Sequence, residues 1–79
     1  MAGEVKAYIL IQTAVNAAEV APALRRVEGV ESADDVSGPY DVIVRAVASS
    51  MDDLGQLVVS RIQIVEGISR TLTCPVVTL

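Results

Sequence analysis

Tyr40 and Asp41 are the one place in this chain where a ring hydroxyl and a carboxylate stand side by side at the mouth of an extended segment. They follow Val36-Ser37-Gly38-Pro39. Gly38 can take a positive φ without steric penalty and Pro39 presets its own φ, so Ser-Gly-Pro reads as a chain reversal. Hydroxyl, carboxylate and turn amides together could hold a small polar molecule. The plainer reading makes Asp41 a partner for turn amides and Tyr40 a packing residue at a sheet end. Thr71 and Thr73 alternate on one face of a later extended segment, where they could add hydroxyls or be ordinary strand threonines. The other candidates carry less. Asp34-Asp35 lies on an extended segment whose neighbouring side chains point to opposite faces, so it reads as solvated edge charge rather than a metal site. Asp52-Asp53 fits the first turn of a helix, where the dipole favours negative charge. Cys74 beside Pro75 reads as a small buried apolar residue rather than a nucleophile. The chain holds no His, which removes Ser-His-Asp and Cys-His constellations and the usual acid–base group near neutral pH. No catalytic residue, metal site or cofactor is expected, and no glycine loop is built to cradle phosphate.

The 79 residues are read as one domain, 1–79. A domain this small usually needs a staple beyond its core. Cys74 is alone, so no disulfide forms within the chain, and without His one cysteine cannot build a zinc site. Self-association is the staple that remains, and a 52% apolar composition agrees, because a small monomer would have to expose some of it. Six basic residues against ten acidic ones give a net charge of −4, which disfavours direct nucleic-acid binding. With no Phe or Trp and only two Tyr, there is no platform for stacking bases. No apolar run is long enough to span a membrane. Met1-Ala2-Gly3-Glu4 lacks the layout of a signal peptide, and with a single free thiol the expected location is the cytoplasm.

The elements that must position these residues follow in order. Val5–Gln12 reads as a first strand with both faces largely apolar: Val5, Ala7, Ile9 and Ile11 on one, Tyr8 and Leu10 on the other. Neither face looks built for water, the first sign that a second subunit covers one of them. Asn16-Ala17-Ala18-Glu19 has the form of a capping box, opening a helix to about Arg26 with Ala17, Val20, Leu24 and Val27 as its apolar stripe. Pro22 fits poorly inside that helix, and a shorter one starting just before Pro22 is the alternative. Gly29 closes the helix. A second strand, Val30–Val36, carries acidic positions suited to an edge. The turn follows, then a third strand from Tyr40 to about Val47. Ser50 is the N-cap of a second helix with Leu54, Leu57, Val58, Ile62 and Val65 buried, ending at Gly67. Gly55 inside it suggests a close helix–sheet contact. Ile68–Val77 forms a fourth strand, with Ile68, Arg70, Leu72, Cys74 and Val76 on one face and Ser69, Thr71, Thr73 and Val77 on the other. Pro75 places it at a sheet edge. Val27-Glu28-Gly29-Val30 recurs as Val65-Glu66-Gly67-Ile68, each time between helix and strand. The order βαββαβ with an internal repeat predicts an α+β, ferredoxin-like sandwich. Its four-stranded antiparallel sheet has strands one and three in the centre and both helices on one face, leaving the open face for a dimer partner.

Val36-Ser37-Gly38-Pro39-Tyr40-Asp41-Val42-Ile43-Val44, followed by a helix and then Val65-Glu66-Gly67-Ile68-Ser69-Arg70-Thr71-Leu72-Thr73, resembles the C-terminal effector (RAM) domain of the Lrp/AsnC transcription regulators. That family has a V-x-G-x-Y-D turn before its third strand and a G-V-x-x-T-x-T stretch opening its fourth. The resemblance covers essentially the whole chain. It departs from full-length regulators, whose helix-turn-helix precedes this domain, since the first strand here begins at about Val5. Pro39 also stands where a polar residue is usual and removes one amide donor. The resemblance implies a homodimer whose sheets pack face to face, further association into rings, commonly octamers, and a small effector, typically an amino acid, bound between dimers. Carried onto this sequence, the effector-binding residues are Ser37, Gly38, Tyr40, Asp41, Thr71 and Thr73. Amides near Gly38 would meet a carboxylate, Asp41 an ammonium, Tyr40 would pack on or bond to the ligand, and the threonines would add hydroxyls.

The expectation is therefore a non-enzymatic amino-acid-sensing and oligomerisation module without its own DNA-binding part, acting on partner chains such as full-length Lrp/AsnC regulators or by sequestering ligand. The alternatives are a small dimeric α+β-barrel enzyme, against which the missing His argues, and a purely structural assembly domain.

Overall fold

Period-two alternation along the strands and helical spacing between them sort the apolar residues into one buried layer. In the computed structural model, which describes residues 4–14 and 17–77, the strands are β1 (Val5–Thr13), β2 (Val30–Asp35), β3 (Val42–Ala48) and β4 (Ile68–Pro75), and the helices are α1 (Val20–Arg25) and α2 (Met51–Leu57). They form one antiparallel sheet in the order β2-β3-β1-β4. Ala7, Ile9 and Ile11 of β1 and Val42, Val44 and Ala46 of β3 face the helices. There they meet Val20, Ala21 and Leu24 of α1 and Leu54 of α2, all buried. Fully burying each Ile, Leu or Val contributes about 1.5–3 kcal/mol, so this single layer carries most of the fold's hydrophobic stabilisation.

The opposite face bears Tyr8 and Leu10 of β1, Ile43 and Val47 of β3, and Leu72 and Cys74 of β4, as the registers Tyr8↔Cys74, Leu10↔Leu72 and Leu10↔Ile43 require. No described residue of the chain covers it: Tyr8 is 43% and Leu72 46% exposed. The sheet therefore leaves Tyr8 and Leu10, rather than their opposite set, on the bare face. Cys74 stands there half-buried, not fully buried as its residue type suggested.

The internal repeat is structural as well as textual. Val27 N donates to Leu24 O and Val30 N to Val27 O; Val65 N donates to Ile62 O and Ile68 N to Val65 O. Gly29 and Gly67 sit at φ 97° and 101°, and the carbonyl of each accepts a 2.8 Å bond from a neighbouring segment, Val47 N and Ala14 N respectively. The two halves thus end their helices and enter their edge strands by one device.

Several local expectations are corrected. Residues Ala17–Glu19 form a 3-10 turn and α1 begins only at Val20, with Glu19 as N-cap and no side-chain cap bond; Asn16 lies outside the described residues. Pro22 becomes the third residue of α1, where a backbone N–H has no intrahelical partner to lose, so the shorter helix resolves its misfit. β2 ends at Asp35 and β3 starts at Val42, leaving Val36–Asp41 as the connection. The second helix is not α-helical throughout. After α2, Val58–Ile62 widens into a π-helical turn in which Gln63 N donates to Val58 O at 2.8 Å. Its cap is as read: Ser50 Oγ accepts from Asp53 N at 3.0 Å. A Cβ at Gly55 would meet nothing within 4 Å, so no close contact explains that glycine. Ile68 packs against the core instead of sharing Arg70's face, because the β1–β4 register shifts between Gln12 and Thr13.

Candidate functional site

The turn between β2 and β3 is fastened to the end of β1. Val36 N donates to Asp41 O at 2.9 Å, closing the loop, and Asp41 N donates to Ile11 O at 2.8 Å. Asp41 Oδ2 accepts from Thr13 N at 2.8 Å and from Thr13 Oγ1 at 3.0 Å. Gln12 Nε2 reaches across to Pro39 O at 2.9 Å. Asp41 therefore caps the end of β1 rather than the amides of its own turn. Fixing one carboxylate oxygen this way orients the other, Oδ1, which makes no hydrogen bond to a described residue. Gly38 has φ 141°, a conformation that side chains rarely adopt. Ser37, Gly38 and Asp41 are exposed, and Tyr40 is half-buried.

On the other side of β1 lies the start of β4. Thr71 pairs with Ile11, which also pairs with Val42, so Thr71 stands in the same row as the first residue of β3. Two strand spacings, roughly 10 Å, separate that row's ends. The turn and Thr71 share one end of the sheet, on opposite sides of β1. Thr73 pairs with Ile9, one pleat repeat farther along, and is the most remote of the six sequence-predicted residues from the turn.

Five residues that sequence reasoning missed, Gln12, Thr13, Gln63, Ser69 and Arg70, complete this end. Gln12 links its two sides: its side chain holds Pro39, and its carbonyl accepts from Ser69 Oγ at 3.2 Å. Thr13 orients Asp41. Gln63 Nε2 donates to Thr71 Oγ1 at 3.0 Å. Arg70 joins Gln63, Ile68, Ser69 and Thr71 around an open cleft of about 290 Å³. The position of Gln12 and Thr13 at the polar end of an apolar strand was the available signal. Gln63 gave none, because the π turn that aims it has no signature in helical spacing. A wider groove of about 500 Å³ lies elsewhere, along Glu28, Asp53, Gln56, Leu57, Ser60 and Arg61. Among the described residues no three Asp, Glu or Cys side chains are grouped to hold a metal ion.

A carboxylate, an arginine and hydroxyls thus stand at one end of the sheet of a ferredoxin-like α+β domain, with an apolar open face beside them. The family model of the Lrp/AsnC ligand binding domain matches residues 6–78, and the chain belongs to that family. An uncharacterised HTH-type transcriptional regulator of Pyrococcus horikoshii is 28% identical over 85% of this chain and 47% of its own length. The chain thus spans about half the length of the curated relatives it matches. Among solved structures, a hypothetical protein of Pyrococcus horikoshii is 32% identical with a TM-score of 0.85, covering 95% of this chain and 92% of its own. A transcriptional regulator of Neisseria meningitidis, crystallised as an L-Met complex, shares the fold at 21% identity and a TM-score of 0.83, over 94% of this chain and 50% of that one. The domain is thus a ligand-binding domain of a family linked to transcriptional regulation, and no described helix is long and apolar enough to cross a membrane.

Proposed function

We propose that the chain is a non-enzymatic module that binds an amino acid at this end of the sheet and assembles through its open face. The observation that carries the reading is Asp41. Its Oδ2 is held by Thr13, so its Oδ1 is a preset acceptor for an ammonium group. Arg70 and the hydroxyls of Ser69 and Thr71 supply groups of complementary character at the same end, and amides near Gly38 can meet a carboxylate. Tyr40 offers a half-buried ring to the ligand's side chain. Thr73, farther along the edge, would contribute only to a longer ligand. The L-Met complex of the Neisseria regulator supports the chemical class. Because β1 separates the turn from Thr71 within one chain, a ligand that touches both sides is best enclosed where two copies meet. A dimer through the sheet faces, associating further into a ring, provides such junctions, and full-length regulators of the family are the partners through which binding would act on transcription.

Calorimetric titration with each of the twenty L-amino acids tests this. The expected result is saturable heat for one or a few of them, abolished by Asp41→Asn. Asparagine keeps an oxygen for Thr13 but replaces the second acceptor by an amide donor, so the turn survives while the ammonium contact is lost. No heat from any amino acid would refute binding and leave an assembly domain.

A further inference from the structure

We propose that Gln63 sets the hydrogen-bond polarity of the cleft beside β4, so that Thr71 presents a hydrogen to a ligand carboxylate. The inference rests on the amino-acid reading above and adds to it which end of the ligand this cleft takes. A hydroxyl has one hydrogen to give and two lone pairs to receive with. Gln63 Nε2 donates to Thr71 Oγ1 at 3.0 Å, which occupies a lone pair and leaves the Thr71 hydrogen to point elsewhere. Ser69 has the opposite commitment: its hydrogen goes to Gln12 O at 3.2 Å, so only its lone pairs face outward. Both residues line the same cleft of about 290 Å³. Two side chains of one chemical type are thereby biased in opposite senses, Thr71 as donor and Ser69 as acceptor. A carboxylate only accepts and an ammonium only donates, so the cleft can tell the two ends of a zwitterion apart. Arg70 also lines this cleft and carries a permanent cation.

The bias depends on the π turn. An α-helical Val58–Ile62 segment would carry one residue fewer per wide turn and rotate Gln63 away from the sheet edge. The turn that gives Gln63 N an acceptor at Val58 O, 2.8 Å away, instead leaves its side chain beside Thr71. Such widened turns are uncommon and frequently occur at functional sites; here one places an exposed amide, which no packing demand explains.

Gln63→Glu tests the inference, because an ionised carboxylate can only accept and turns the Thr71 hydrogen toward itself. The charge also repels a ligand carboxylate directly, so the measurement is a double-mutant cycle with Thr71→Val. Affinities are taken by calorimetry on the full chain for the amino acid that binds best and for its carboxamide. In the wild-type background Gln63→Glu is expected to weaken the amino acid by roughly ten- to a hundredfold, the worth of a hydrogen bond to a charged group, and to reduce its preference over the carboxamide. In the Thr71→Val background most of that added loss should disappear. An equal loss in both backgrounds, or no loss at all, overturns the inference while leaving amino-acid binding intact. An equal loss in both backgrounds is what a Gln63 amide with its oxygen turned to Thr71 would give, leaving only the direct repulsion. Absence of wild-type binding to all twenty amino acids overturns the binding reading and the inference with it.

Discussion

Three glycines in this chain should respond to the same substitution in three different ways. Gly67 has φ 101°, and a Cβ there would lie 2.9 Å from Val20 Cγ2. Val20 is 1% exposed and belongs to the core, so its methyl has nowhere to retreat. Gly67→Ala therefore combines a left-handed backbone penalty of roughly 1–2 kcal/mol with an overpacking cost of about 1–3 kcal/mol. The sum is about 2–5 kcal/mol, against a total stability of about 5–15 kcal/mol for a typical domain. Gly38 has φ 141° but open space around it, so Gly38→Ala incurs the backbone cost alone, roughly 1–3 kcal/mol. Gly55 is helical, with no contact to be disturbed, and Gly55→Ala should gain about 0.4–1 kcal/mol. Urea denaturation followed by circular dichroism resolves the three. With a slope near 1 kcal/mol per molar urea, the expected order of midpoints is Gly55→Ala above wild type, then Gly38→Ala, then Gly67→Ala about 2 M or more below wild type. Protein concentration must be the same throughout, because self-association shifts midpoints by mass action. If Gly67→Ala lies level with Gly38→Ala, the contact between the second helix-to-strand passage and α1 is not there, and the packing that makes the two repeats equivalent would have to be redrawn.

Ser50→Ala removes the oxygen that accepts from Asp53 N and should cost about 1 kcal/mol in the same urea assay; an unchanged midpoint would mean α2 is capped by another group. Thr13→Val leaves the Thr13 N bond to Asp41 but deletes the hydroxyl one, with an expected loss of about 0.5–1.5 kcal/mol and a weaker amino-acid titration, since Oδ1 is then less firmly aimed. Leu72→Asp places a charge on the bare sheet face at its β4 edge, where Leu72 is 46% exposed. Light scattering should show an 8.3 kDa monomer with its circular dichroism retained, whereas an oligomer of unchanged mass would place the contact elsewhere.

The sheet was legible because its evidence is periodic. Alternation in Val5–Gln12 and Tyr40–Val47, glycines after each helical stripe and the Val-Glu-Gly repeat all point to one topology, and each is a local pattern that tertiary packing reinforces. Where the reading failed, a local rule was outweighed by something non-local or by something with no pattern. The capping-box spacing at Asn16–Glu19 predicted a helix start, but Pro22 is accommodated without loss only if the α-helix begins no earlier than Val20; it begins there, and a 3-10 turn takes up the difference. The face assignment of Ile68 failed because one irregularity in register, between Gln12 and Thr13, skips Ser69 and turns Ile68 to the side opposite Arg70.

The candidate site was harder to read for a related reason. Ser37, Gly38, Tyr40 and Asp41 are contiguous, so any reading that finds the turn finds all of them together. Their chemistry, however, is decided by residues far away in sequence. Asp41 has a free direction only because Thr13 holds its other oxygen, and Thr13 meets it only because β1 and β3 pair with Ile11 opposite Val42. Thr71 has a defined donor sense only because of Gln63, which the π turn delivers to it. Residue types show which groups a site can contain. The direction in which each hydroxyl gives its hydrogen depends on register and helix winding, and these are fixed only when the strands have paired. Variants that keep Asp41, Ser69 and Thr71 but shift Thr13 or Gln63 should therefore alter selectivity between the two ends of an amino acid at the proposed site more than they alter the fold.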